Sequence, residues 1–194
     1  MTIRDSGKNN VIVGAEYLTD KCKVLLDANN ARIEIDEGFR VRTELLIEIK
    51  GDGAFVKIGK NADVNRLKIH VFGTGGLKIG HSFKLNGTMF ASVIGPGTKV
   101  DIGDDCLFAS VRFRTSDPHK IYTLTGKNRL NPPDDIFVED HVWLAEDVLL
   151  LKGSRVCKGS VVGARSLVTS EIPPNSLAVG TPAKVLRSDI RWEY

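Results

Sequence analysis

Residues 138–173, "VEDHVWLAEDVLLLKGSRVCKGSVVGARSLVTSEIP", divide into successive sixes without remainder. Position one is Val138, Leu144, Leu150, Val156, Val162 and Val168 in turn, always a branched aliphatic. Position five is Val142, Val148, Ser154, Ser160 and Ser166, small or β-branched throughout. A chain that needs one aliphatic every six residues turns a corner after each short strand. The aliphatic points inward, and the small residue fills the tight space beside the corner. Three such sides close a triangular coil of about eighteen residues, and stacked coils bury a continuous aliphatic column. β-Branched residues suit a pleated, half-buried surface. The i, i+3, i+4 stripe of an amphipathic helix is missing.

The first hundred residues repeat the idea in longer steps. "NNVIV", "NNARIEID", "GDGAFVKIG", "GTGGLKIG" and "GPGTKVDIG" follow one another, with Val13, Ile35, Ile58, Ile79 and Ile102 as the corresponding aliphatics, 22, 23, 21 and 23 residues apart. Each coil therefore carries a few residues beyond eighteen, and Gly and Asn gather at the bulged corner, where positive φ is tolerated. The expected fold class is an all-β solenoid in one domain, 1–194, with a protruding loop at 114–135 and a C-terminal tail at 173–194.

Composition narrows the function. The 194 residues carry a net charge of +3, too little to argue for a nucleic-acid partner, which usually needs Lys and Arg clustered on one face. No stretch approaches the roughly 20 apolar residues of a membrane span. "MTIRDSGKNN" lacks the apolar core of a secretory signal. Cys22, Cys106 and Cys157 are odd in number and far apart, which reads as core thiols in a reducing compartment, and a cytoplasmic location is expected.

One long stretch leaves the lattice: "RTSDPHKIYTLTGKNRLNPPDD", Arg114 to Asp135. It holds His119, whereas the other three histidines sit among regular repeats. His141 falls at a corner and reads as structural, His81 as a solvated corner residue and His70 as a packed strand residue. Pro118 favours an extended approach to His119.

The hexads, running into "IPPNSLAVGTPAKVLR", resemble the left-handed parallel β-helix acyltransferases, the hexapeptide-repeat transferases. "RTSDPHKIY" followed by "NPPDDIFVEDHVWL" is most similar to members that O-acetylate capsular or surface polysaccharides. The resemblance implies left-handed coiling, a homotrimer with active sites between subunits, acetyl-CoA as co-substrate, a saccharide acceptor and no metal. It also implies the site. An alcohol is a poor nucleophile at neutral pH, and an imidazole with an ordinary pKa near 6.5 suits the task of taking its proton. Matching "SDPH" to the family's loop histidine makes His119 that base. Asp117 would orient the ring, with turn capping as its alternative. Arg114 and Asn86 would face the acceptor. "VVGARSLVTS" would line the pantetheine groove through Gly163, Ala164 and Ser166. "VGTPAKVLR" would bring Lys184 and Arg187 to the phosphates of CoA. Trp143 and Trp192 read as packing residues, with Trp192 also placed to cover an edge of the CoA site.

Three other functions stay open at this stage. Amide formation on an amino sugar would use the same base and thioester. A γ-carbonic-anhydrase-like metal site would need several histidines in register. A noncatalytic solenoid would need none of these residues.

Overall fold

The computed structural model describes residues 1–194 and is built almost entirely of short parallel strands, with one 3₁₀ turn at Ala15–Tyr17. An eight-stranded sheet forms the first side of the solenoid, one strand per turn, from Val11–Val13 to Glu171–Ile172. A thirteen-stranded sheet supplies the other two sides. In the early turns one long strand, such as Arg40–Ile49 or Asp63–Val71, bends across both sides, and the register shifts at the bend. Strand Lys84–Val93 is where the two sides separate. Its beginning pairs with Leu107–Phe108 on side two, and its end pairs with Val111–Arg114 on side three.

The predicted core positions hold. Val138, Leu144, Leu150, Val156, Val162 and Val168 are all buried, as are Val142, Val148, Ser154, Ser160 and Ser166. On side one, strand register stacks Ile35, Ile58, Ile79, Ile102, Val138, Val156 and Ile172 directly over one another. Each such side chain contributes about 1.5–3 kcal/mol through burial. Val13 does not join this column. It pairs with Glu34 and is 47% exposed, because the first strand is phased one residue earlier and turns Ile12 toward Ile33. A one-residue slip in a strand exchanges inside for outside.

The corners explain the Gly and Asn content. Between sides one and two, Asn61, Ser82, Asp105, His141, Gly159 and Asn175 all have positive φ. Each donates its N–H to a carbonyl of the turn before, as in His141 to Asp104 at 2.8 Å and Asn175 to Lys158 at 2.9 Å. Asn, Asp and Gly adopt this left-handed geometry most readily.

Two expected boundaries move. Arg114 belongs to strand Val111–Arg114, so the loop begins at Thr115. The solenoid also continues past residue 173, since Leu177–Gly180 still pairs with Val161–Val162. It is then closed by Ala183–Arg187, which pairs antiparallel with Leu177–Gly180. The remaining tail folds back over the first corner. Trp192 stacks on His141 with ring centroids 4.2 Å apart, and its indole N–H donates to the His141 carbonyl at 3.0 Å. The Tyr194 hydroxyl donates to the Asp105 carboxylate at 3.0 Å, and burial together with that carboxylate pushes its pKa up.

Candidate functional site

Strand Val111–Arg114 lies at the centre of the site. It runs across side three for about 10 Å, at 3.3 Å per residue. Its beginning borders an open groove, and its end leads directly into the long loop.

The groove follows the corner between sides two and three. One part, ≈ 460 Å³, is lined by Thr88, Phe90, Ser110, Arg112 and Asp147. The next, ≈ 480 Å³, shares Arg112 and Asp147 and continues along Leu149, Arg165, Leu167 and Thr181. Either is within the range of small-molecule sites. Apolar Leu149 and Leu167 thus alternate with cationic Arg112 and Arg165. Neither arginine has a carboxylate at ion-pair distance, whereas Arg155 is paired with Glu139 at 2.8 Å. Asp147 also lines both parts, and the two arginines leave the groove with a net positive charge that suits an anionic ligand. Arg112 was not singled out by its sequence, because only the stacking of turns brings it to the groove.

The predicted groove residues divide. Gly163 and Ala164 sit at the same corner, and a Cβ on Gly163 would come within 2.6 Å of Val179 Cγ1, so a larger residue there would have to displace that side chain. Ser166 borders the groove, but its side chain turns inward. It is 1% exposed, and its hydroxyl accepts the Gly180 N–H at 3.0 Å, so it fastens the corner from inside. Lys184 lies opposite Val179 on the closing strand and Arg187 opposite Leu177, both exposed and both without an ion-pair partner.

The loop is ordered by its own contacts. Thr115 is fully buried and fixes the root, exchanging hydrogen bonds with both the N–H and carbonyl of Ile94 at 2.8 and 3.0 Å. The Asp134 N–H donates to the Thr115 carbonyl at 3.0 Å and closes the two ends. Farther out, Tyr122 bridges to Arg129, and the Leu130 N–H donates to the Ile121 carbonyl at 2.7 Å, forming a small hairpin. Ile121, Tyr122, Leu124 and Leu130 are exposed on it.

His119 is exposed, and its imidazole makes no hydrogen bond; only its carbonyl is held, by the Asn131 amide at 2.8 Å. Asp117 makes no hydrogen bond to the ring. Its carboxylate accepts from Lys152 Nζ and from Asn131 Nδ2 at 3.0 Å. The Lys152 ammonium, helped by the Asn131 amide, holds the Asp117 carboxyl below the usual carboxylate range. The pairing wins because Lys152 offers a full charge at contact distance. Asn86 also has partners within the solenoid: its carbonyl accepts from Asn65 at 3.0 Å and its side-chain oxygen from Arg42 at 3.2 Å. Arg114 is exposed beside Phe90, Arg112 and Leu149 on the outer face of side three.

The other histidines lie apart. His141 is fixed between Asp105 and Trp192, His81 Nδ1 accepts the Lys60 N–H at 2.9 Å, and His70 packs on Phe72 and Phe90.

No protein-family model matches the chain. It is 32% identical over 139 residues to the polysialic acid O-acetyltransferase of Escherichia coli O1:K1 / APEC, covering 71% of this chain and 44% of that protein. The match thus spans less than half of that relative's length. Over 149 residues it is 30% identical to the putative lipopolysaccharide biosynthesis O-acetyl transferase WbbJ of Escherichia coli (strain K12), covering 72% of this chain and 74% of the relative. Among solved structures, the polySia-specific acetyltransferase NeuO superposes over 100% of this chain and 88% of its own with a TM-score of 0.85 at 29% identity. The polysialic acid O-acetyltransferase OatWY, at 24% identity and a TM-score of 0.75, shares the fold. With a six-residue lattice over 138–173 stacked on longer coils, the chain belongs to the hexapeptide-repeat acetyltransferases that include these surface-polysaccharide O-acetyltransferases.

Proposed function

We propose that the protein transfers an acetyl group from acetyl-CoA to a hydroxyl of a saccharide, a capsular or surface polysaccharide or its precursor. The observation that carries this reading is the pairing of one free imidazole with one cation-lined groove. His119 stands with a bare ring on an anchored loop, and that loop continues the strand whose other end borders the groove.

In this reading His119 takes the proton of the acceptor hydroxyl as its oxygen attacks the thioester carbonyl. The new C–O bond forms, the tetrahedral intermediate collapses, the C–S bond breaks, and the imidazolium returns its proton to the departing thiolate. Leu149, Leu167 and the Gly163–Ala164 backbone suit the pantetheine arm. Arg165, Lys184 and Arg187 suit the phosphates, and guanidinium groups match phosphate oxygens in pairs. Arg114, with Arg112 beside it, faces the acceptor. Asp117 serves as an anchor of the loop. The protein works as a homotrimer in the cytoplasm, with the exposed apolar hairpin of one copy meeting its neighbour.

The test is transfer of labelled acetyl from acetyl-CoA to hydroxyl-only and amino-sugar acceptors. Label on hydroxyl-only saccharides is expected, with His119→Ala lowering the rate by about 10²–10⁴-fold. Label confined to amino sugars, or full activity in His119→Ala, would overturn the reading.

A further inference from the structure

Asn131 is 8% exposed, and its amide is completely used. The two N–H groups donate to Asp117 Oδ2 at 3.0 Å and the His119 carbonyl at 2.8 Å. The side-chain oxygen accepts from the Ile121 N–H at 2.8 Å and from Arg129 Nε at 3.2 Å. That is the full capacity of a carboxamide. Three of the four partners are residues 117, 119 and 121, so Asn131 grips one edge of the segment at every second residue. The segment bends at Pro118 and His119, and Asn131 holds it on both sides of the bend. Aspartate lacks the two donors that this edge requires, and alanine offers nothing.

The Asn131 side chain bonds only within the loop. The link to the solenoid is Lys152, on the turn after strand Val148–Leu151, whose ammonium donates to Asp117 Oδ2 and to the Asn131 carbonyl at 3.2 Å. A continuous polar chain thus runs from the rigid coil through Lys152 to Asn131 and on to the main chain of His119.

We propose that Asn131, backed by Lys152, is the positioning residue of the acetyl-transfer site: it sets the direction in which His119 leaves the loop, and Lys152 keeps the Asp117 charge away from the imidazole. The inference rests on His119 being the base. Its role differs from a triad carboxylate, because Asn131 acts on the backbone and leaves both ring nitrogens free. A misplacement of about 1 Å in a reacting group costs on the order of 10²-fold in rate.

The experiment measures kcat and KM for Asn131→Ala, His119→Ala and the double variant, with acetyl-CoA and a saccharide that the wild type labels. Asn131→Ala is expected to lower kcat by about 10²-fold with little change in KM for acetyl-CoA. In the His119→Ala background the same substitution is expected to cost nothing more. If Asn131→Ala keeps wild-type kcat, or its loss adds in full to that of His119→Ala, Asn131 does not act through the histidine. Full activity in His119→Ala alone would defeat the base reading, and the positioning role with it. Lys152→Met tests the same chain from the solenoid side and leaves Asn131 in place. With the Asp117 carboxylate unneutralised, the acid limb of the kcat/KM profile is expected to move to higher pH, and Lys152→Arg is expected to restore it. An unmoved profile in Lys152→Met would remove Lys152 from the scheme.

Discussion

Ile102 is the fourth of seven residues in the column of side one, between Ile79 and Val138, and it is fully buried. Ile102→Ala removes three carbons from a site where every neighbour is held by the strand ladder. At about 0.8 kcal/mol per buried methylene the transfer loss is about 2.4 kcal/mol. The neighbours cannot collapse without breaking register, so the cavity left behind raises the cost to about 3–4 kcal/mol. Each turn contacts only the turns before and after it, so this loss falls on two interfaces at once. Val13→Ala is the matched comparison. Sequence spacing assigns Val13 to the same column, but it is 47% exposed and faces away, and its truncation is expected to cost about 0.5 kcal/mol or less. Urea unfolding followed by circular dichroism would read both, provided the m-value is unchanged. A cost below about 1 kcal/mol for Ile102→Ala, or equal costs for the two variants, would refute the column as the source of stability.

Two further outcomes follow from the loop and the tail. The Asp117 carboxyl is held below the usual carboxylate range, so its contribution to loop order is present above the ordinary value of about 3.9 and is lost as pH falls through the lower folded value. Amide protection factors across 117–131 are expected to stay level from neutral pH down to that point and then drop; a steady decline beginning near pH 6 would contradict this. Trp192→Ala removes the stack on His141 and frees the tail, so the Tyr194 hydroxyl is expected to titrate back toward about 10. Absorbance at alkaline pH would show this, and an unchanged titration would mean that Tyr194 is held without Trp192.

Much of the fold was legible because six-residue periodicity reports directly on which side chains face inward. Leu144, Val156 and Ser160 could be placed from spacing alone, and all are buried. Val13 misled because a period-two strand exchanges its faces on a one-residue slip, and the first turn is phased differently. The site was less legible, for a physical reason. His119 was visible as the histidine off the lattice, but its surroundings come from distant residues. Asp117 meets Lys152, 35 residues away, and Asn131 reaches back 12 residues to His119 and 14 to Asp117. Periodicity carries no information about which outward-facing groups of different turns meet. Arg112 escapes sequence spacing for the same reason, and Ser166 borders the groove as expected while its hydroxyl accepts from Gly180. The one local hint at Asn131 was the proline after it, which favours an extended backbone there.

The hydrogen bond from the Asp134 N–H to the Thr115 carbonyl brings the two feet of the loop together at one corner of the coil. The turns above and below therefore meet the same closed corner whatever is spliced between those feet, and lengthening the insert costs little, since closure entropy grows only with the logarithm of its length. The solenoid behaves as a socket and the hairpin as an interchangeable part. A different hairpin spliced onto those feet would leave the packing of the coil beneath it unchanged.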